Sequence, residues 1–138
     1  MIAKEKVAAA FSPGDHASTF GGNPLACTAA LATLEYMLEN GVVENTARVG
    51  AYFKERLVEL AREFPFIREV RGLGLLLGLE LTIEGAPIVA RCRERGLLIN
   101  CVDGRILRFL PPLVIGTEEV ETALGILTEV FREALEQC

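Results

Sequence analysis

The chain has 138 residues, of which 51% are hydrophobic and only 7% aromatic, a size and composition suited to one domain with a mainly aliphatic core. Its formal charge of −5 and pI near 5.0, with no local cluster of Lys and Arg, exclude nucleic acid and anionic membrane as principal ligands. A mean hydropathy of +0.34 is high for a small free-standing soluble protein and points to apolar surface meant for a partner.

The first stretch, MIAKEKVAAAFSPG, has a short apolar run broken by Lys4, Glu5 and Lys6, unlike a signal peptide. Next comes DHASTFGGNPLA, Asp15 to Ala26, which sets hydroxyls, adjacent glycines and Asn-Pro immediately before a run of helix formers. Asn23 suits the cap of that helix and Pro24 its first position. Cys27, Leu31, Leu34 and Leu38 then recur at helical spacing, and Asn40-Gly41 ends the element. A second helix places Val49, Phe53, Leu57, Leu60 and Phe64 on one face and stops at Pro65.

In IREVRGLGLLLGLEL every odd position from Leu73 to Leu81 is Leu, which predicts a single strand with one apolar face. Glycines 72, 74 and 78 weaken a strand, so they suggest a bulge or a close backbone approach. A short helix is expected from Ala86 to Arg95, closed by Gly96. LLINCV, Asp103-Gly104 and RILRFL read as a hairpin around a two-residue type I′ turn. Pro111-Pro112 ends it, Thr117 can cap a last helix with Glu118 and Glu119 in its first turn, and Val120, Leu124, Leu127 and Phe131 form the buried stripe. The sum is an α+β fold: a small, mostly antiparallel sheet with helices packed on it.

The most apolar stretch, LGLLLGLEL, is far short of the roughly 18 residues a membrane-spanning helix needs, and the chain reads as soluble and cytoplasmic. Cys27, Cys92, Cys101 and Cys138 show neither CxxC nor metal-ligand spacing, and His16 is the chain's single histidine. These cysteines read as small hydrophobes of a reducing compartment, and no metal site is expected.

Chemistry is concentrated at two places. Hydroxyls, glycine N–H groups and a positive helix start over Ser18–Pro24 suit a phosphate or carboxylate; an N-cap preceded by a flexible turn fits the same residues, and spacing leaves both readings open. Arg108 shares its strand face with Ile106 and Leu110, whereas Arg105 points the other way with Leu107 and Phe109. An arginine on an apolar face needs a carboxylate, either a ligand's or that of a structural partner such as Glu80.

GDHASTFGGNPLACTAALATLEYM resembles the segment that follows the Schiff-base lysine in class III, pyridoxal-phosphate-dependent aminotransferases, in the acetylornithine/ornithine branch. REVRGLGLLLGLEL and ILRFLPPLVIGTEEV resemble later stretches of that family in the same order, so the resemblance spans essentially the whole chain. It implies the small C-terminal domain of a fold type I enzyme, with residues 1–22 a remnant of the large cofactor domain, the phosphate loop at 15–23, and 23–138 the small domain with its interdomain helix.

By the same resemblance Thr19 contacts the phosphate of pyridoxal 5′-phosphate across a dimer interface. Ser18 lies beside cofactor and substrate, and Arg108 binds a carboxylate of enzyme or substrate. The family's Schiff-base lysine, its pyridine-pairing Asp and its ring-stacking aromatic all lie upstream of the matched segment. The lysines here, Lys4, Lys6 and Lys54, read as exposed helical residues in other contexts. The resemblance thus implies part of an aminotransferase that is a homo-oligomer when intact, acts on an amino donor and a 2-oxo acid, and serves arginine biosynthesis. The part is expected to be inactive without the large domain and to self-associate through its bare face. A stand-alone anion-binding or interaction module, and a purely structural dimerisation fragment, remain as alternatives.

Overall fold

The computed structural model describes residues 3–136, so Cys138 lies outside it. The chain divides into two compact units, Met1–Tyr36 and Met37–Cys138.

The first unit opens with a single helical turn, α1 (Glu5–Ala8), and an extended segment. Two side chains pin the turns of that segment. Asp15 accepts the Ser12 N–H at 2.7 Å and Ser18 Oγ accepts the Gly21 N–H at 2.9 Å. Helix α2 (Pro24–Glu39) starts as its sequence predicts. Asn23 Oδ1 accepts the Ala26 N–H at 2.9 Å, while its amide donates to the Phe20 carbonyl at 2.6 Å. The cap therefore also closes the preceding loop. Not one residue of α2 is buried; Leu25 is 81% and Leu38 80% exposed.

In the second unit, Gly41 at φ 61° separates α2 from α3 (Val42–Glu63). The expected stripe of α3 is in the core, with Val49 and Leu57 fully buried and Phe53, Leu60 and Phe64 nearly so. The one strand expected next is two: β1 (Ile67–Leu73) and β2 (Leu76–Leu81) pair antiparallel, Leu73 opposite Leu76. Gly72 and Gly74 have positive φ, 131° and 55°, and so turn the backbone where the leucine alternation alone predicts continuity. The reversal leaves Leu73 89% exposed while Leu75, Leu77, Leu79 and Leu81 are buried.

Helix α4 (Ala86–Glu94) leads to the hairpin of β3 (Asn100–Val102) and β4 (Ile106–Phe109). Asp103 and Gly104 both have positive φ, as a type I′ turn requires. Val102 nevertheless pairs with Ile106, so Arg105 is an additional residue of the turn and does not continue the face of Leu107 and Phe109. Its carbonyl accepts the Leu81 N–H at 2.8 Å. Helix α5 (Thr117–Glu136) takes in the threonine expected to cap it, so Gly116 precedes the first turn instead, and Glu119 accepts the Gly116 N–H at 2.8 Å.

The sheet order is β1-β2-β4-β3, all antiparallel. One face carries Leu77, Leu79, Leu81, Leu107 and Phe109 into the core with α3, α4 and α5. Phe131 is fully buried there, edge-on to Phe64 and Phe66 with ring centroids 5.3 and 5.4 Å away. The other face, with Leu76, Glu80 and Arg108, is open. This is the expected α+β layer.

Candidate functional site

The Ser18–Asn23 loop is held by its own hydrogen bonds. Ser18 Oγ is engaged as an acceptor from Gly21, which leaves its O–H free to donate. Thr19 is exposed in the bend between Ser18 and the glycines, and His16 is exposed nearby. A hydroxyl that donates and a glycine turn closed without side-chain bulk fit the oxygen atoms of a phosphate.

The open sheet face in the second unit carries the other candidate. Arg71 pairs with Gly78, Gly78 with Arg108, and Arg108 with Asn100, so these residues form one row across all four strands. Arg108 is exposed rather than set on a buried apolar face, because the β3–β4 register turns Leu107 and Phe109 to the core instead. The structural alternative for it also fails. Glu80 sits opposite Ile106 and is occupied from the other side, by Arg68 at 2.9 Å and by Arg71. The hydrogen bond from Arg71, with Arg68 close by, holds the Glu80 carboxyl below the usual carboxylate range. Glu69 takes Arg71 as well, at 2.7 Å.

Arg108 instead donates through Nε to Asn100 Oδ1 at 3.1 Å, a neutral acceptor that leaves the positive charge uncompensated. A shallow groove of about 320 Å³ runs along the row, lined by Arg71, Leu76, Gly78, Val102, Ile106 and Arg108. Asn100 and Arg71 are missed by sequence reasoning, whereas Gly78 is among the strand glycines it marks for a bulge or a close backbone approach. Counting back from Asp103-Gly104 could have found Asn100, but Arg71 could not be placed while β1 and β2 were read as one strand.

The lysines differ from one another. Lys4 and Lys6 are exposed at α1, whereas Lys54 is half-buried and donates to the Gly72 carbonyl at 3.2 Å. Cys92 is buried, Cys101 half-buried and Cys27 exposed. Among the described residues no group of three or more His, Cys, Asp or Glu could hold a metal, and no helix is long and apolar enough to cross a membrane.

Residues 1–131 match the family model for class-III aminotransferases. The chain belongs to that family. Acetylornithine aminotransferases of Methanothermobacter thermautotrophicus and Methanocaldococcus jannaschii are 44% and 47% identical to it over 96% of its length. An ornithine aminotransferase of Brevibacillus brevis is 41% identical over 95%. The solved acetylornithine aminotransferase of Elizabethkingia anophelis superposes with a TM-score of 0.81 at 31% identity, covering 96% of this chain and 36% of that one. The chain spans about a third of the length of the curated relatives it matches, 34% and 33% for the two archaeal enzymes. Class-III aminotransferases use pyridoxal phosphate, and the Ser18–Asn23 loop fits the phosphate end of that group.

Proposed function

We propose that this chain is the C-terminal part of an acetylornithine-type aminotransferase, moving an amino group from N-acetylornithine or a similar ω-amine to 2-oxoglutarate, a step of arginine biosynthesis. The observation that carries the reading is the contiguous 44–47% identity to acetylornithine aminotransferases across 96% of the chain. Residues 1–22 would belong to the large cofactor domain, with the phosphate loop at 15–23, and residues 23–138 would form the small domain. Thr19 and Ser18 would donate hydroxyl hydrogens to the phosphate of a cofactor held mainly by another subunit of a homodimer. Arg108, unpaired with any carboxylate on its own face, would hold the carboxylate of the amino donor or the 2-oxo acid. When bound, pyridoxal phosphate supplies the electron sink for amino transfer.

Alone, the chain should not turn over. Covalent capture of the cofactor needs a lysine amine beside the ring. Lys4 and Lys6 lie on an exposed turn, and Lys54 is tied to the Gly72 carbonyl. The decisive experiment is the intact mass of the protein from its source, read with the coding region upstream of Met1. A frame that supplies the cofactor lysine supports the reading, and Arg108→Ala in that enzyme should then raise KM for 2-oxoglutarate about tenfold or more. A source protein of 15.0 kDa with no partner chain encoded beside it overturns catalysis and leaves an anion-binding module.

A further inference from the structure

Gly78 has no role in the fold that its backbone or its packing requires. It lies inside β2, at a position where its φ is not positive. A Cβ built on it would meet only ordinary contacts, with Ile106 Cγ2 at 3.5 Å and Arg71 Cγ at 3.8 Å. The other glycines of this segment are different. Gly72 and Gly74 have positive φ, and a Cβ on Gly72 would overlap the Leu76 carbonyl. A glycine inside a strand weakens it relative to alanine, and it often marks close approach by a ligand.

What faces Gly78 suggests the ligand. Its cross-strand neighbours are Arg71 on one side and Arg108 on the other. Two strand spacings put their Cα atoms about 10 Å apart, with no side chain between them. Arg71 is already balanced by Glu69 and Glu80, so it serves as a fixed wall. Arg108 is committed only through Nε, to a neutral amide, and its terminal nitrogens have no carboxylate among the described residues. Leu76, Val102 and Ile106 give the groove apolar sides.

We propose that Gly78 is a specificity-determining residue: by lacking a side chain it lets the carboxylate of a 2-oxo or amino acid, and the carbon bearing it, lie flat on the sheet against the terminal nitrogens of Arg108. The inference rests on the reading of Arg108 as a carboxylate site. It assigns the size limit of that site to the bare backbone of β2. A ligand carbon over Gly78 occupies the space that a β-methyl would take.

The test is titration of 2-oxoglutarate into the isotopically labelled 138-residue chain, followed by NMR, for the unsubstituted protein and for Gly78→Ala, Gly78→Val and Arg108→Ala. Gly78→Ala should raise Kd about tenfold, by displacing the ligand as an added methylene overpacks a filled site. Gly78→Val should raise it further. Both should have a melting temperature equal to or above that of the parent, since alanine and valine suit a strand better than glycine. Opposite movements of affinity and stability are what a merely structural glycine would not produce.

If Arg108→Ala loses binding while both Gly78 variants keep it, the inference about Gly78 is overturned and the Arg108 reading stands. Unchanged binding in Arg108→Ala, or no binding by the unsubstituted chain, overturns both. A Gly78→Ala protein that loses stability together with binding also overturns the inference, because the glycine would then be structural.

Discussion

Gly50 of α3 lies directly against the backbone of Gly74, so closely that a Cβ on Gly50 would overlap the Gly74 carbonyl. Gly74 has φ 55° at the turn between β1 and β2, and a Cβ there would reach Thr46 Cγ2 at 3.0 Å. Helix and hairpin therefore meet backbone to backbone. Gly50→Ala should destabilise the fold by about 2 kcal/mol or more, although alanine is the better helix former, because the close approach leaves no room to relax. Urea denaturation checks this: a lower midpoint at an unchanged m-value is expected, and a midpoint equal to or above the parent's would mean that helix and turn can move apart.

Stability should fall in acid through two carboxylates. A hydrogen bond from Arg71 holds Glu80 below its usual pKa, and hydrogen bonds from Arg56 and then Tyr52 do the same for Glu121. Tyr52 donates to Glu121 at 2.6 Å and Arg56 Nε at 2.8 Å, which ties α3 to α5. In both groups the folded pKa is the lower one. Their contribution is therefore fully present above the unfolded-state values, near pH 4.3, and is lost as pH drops through the depressed folded values. Denaturation midpoints measured from pH 6 down to pH 3 should decline, and Glu121→Gln should flatten that decline. An identical slope in the variant would show that the α3–α5 link contributes nothing.

Thiol reactivity should separate the cysteines. Cys92 is fully buried in the core and its thiol is pushed up to about 11 by desolvation, whereas Cys27 lies exposed on α2. A thiol reagent at pH 8 should modify Cys27 within minutes and leave Cys92 unmodified until denaturant is added. Peptide mapping of the labelled sites reads this directly. Rapid native labelling of Cys92 would mean that the α4–α5 side of the core opens easily.

Self-association is the outcome expected of α2. Leu25, Leu31, Leu34 and Leu38 are exposed on it and it carries no Lys or Arg, a composition that a helix bears when it is covered on most sides. Sedimentation should give a weight-average mass that rises with concentration, and charged substitutions at Leu31 and Leu34 should suppress the rise. A monomer at every concentration would exclude this surface as a self-association site.

How far each feature was legible in the sequence follows from how local its cause is. The Asn23–Pro24 start of α2 was legible because Asn23 acts on Ala26, three residues away. The stripe of α3, the Asp103-Gly104 reversal and the stripe of α5 were legible for the same reason: periodicity and turn chemistry act within one or two turns of chain. The leucines of 73–81 misled because period-two alternation looks alike in one strand and in two strands joined by a tight turn. Only the pairing of Leu73 with Leu76 separates them.

The sequence by itself thus determined the helices α2 to α5, the β3–β4 hairpin, the α+β class and, through its ordered motifs, the aminotransferase family, but not the division of β1 from β2. It also nominated Arg108. Only the tertiary structure decided what surrounds Arg108: Asn100 and Gly78 beside it, and Glu80 given over to Arg68 and Arg71. The physical reason is range. Backbone propensity and capping depend on residues a few positions apart, whereas the partners of a charge depend on strand register, which is set by which face the core buries.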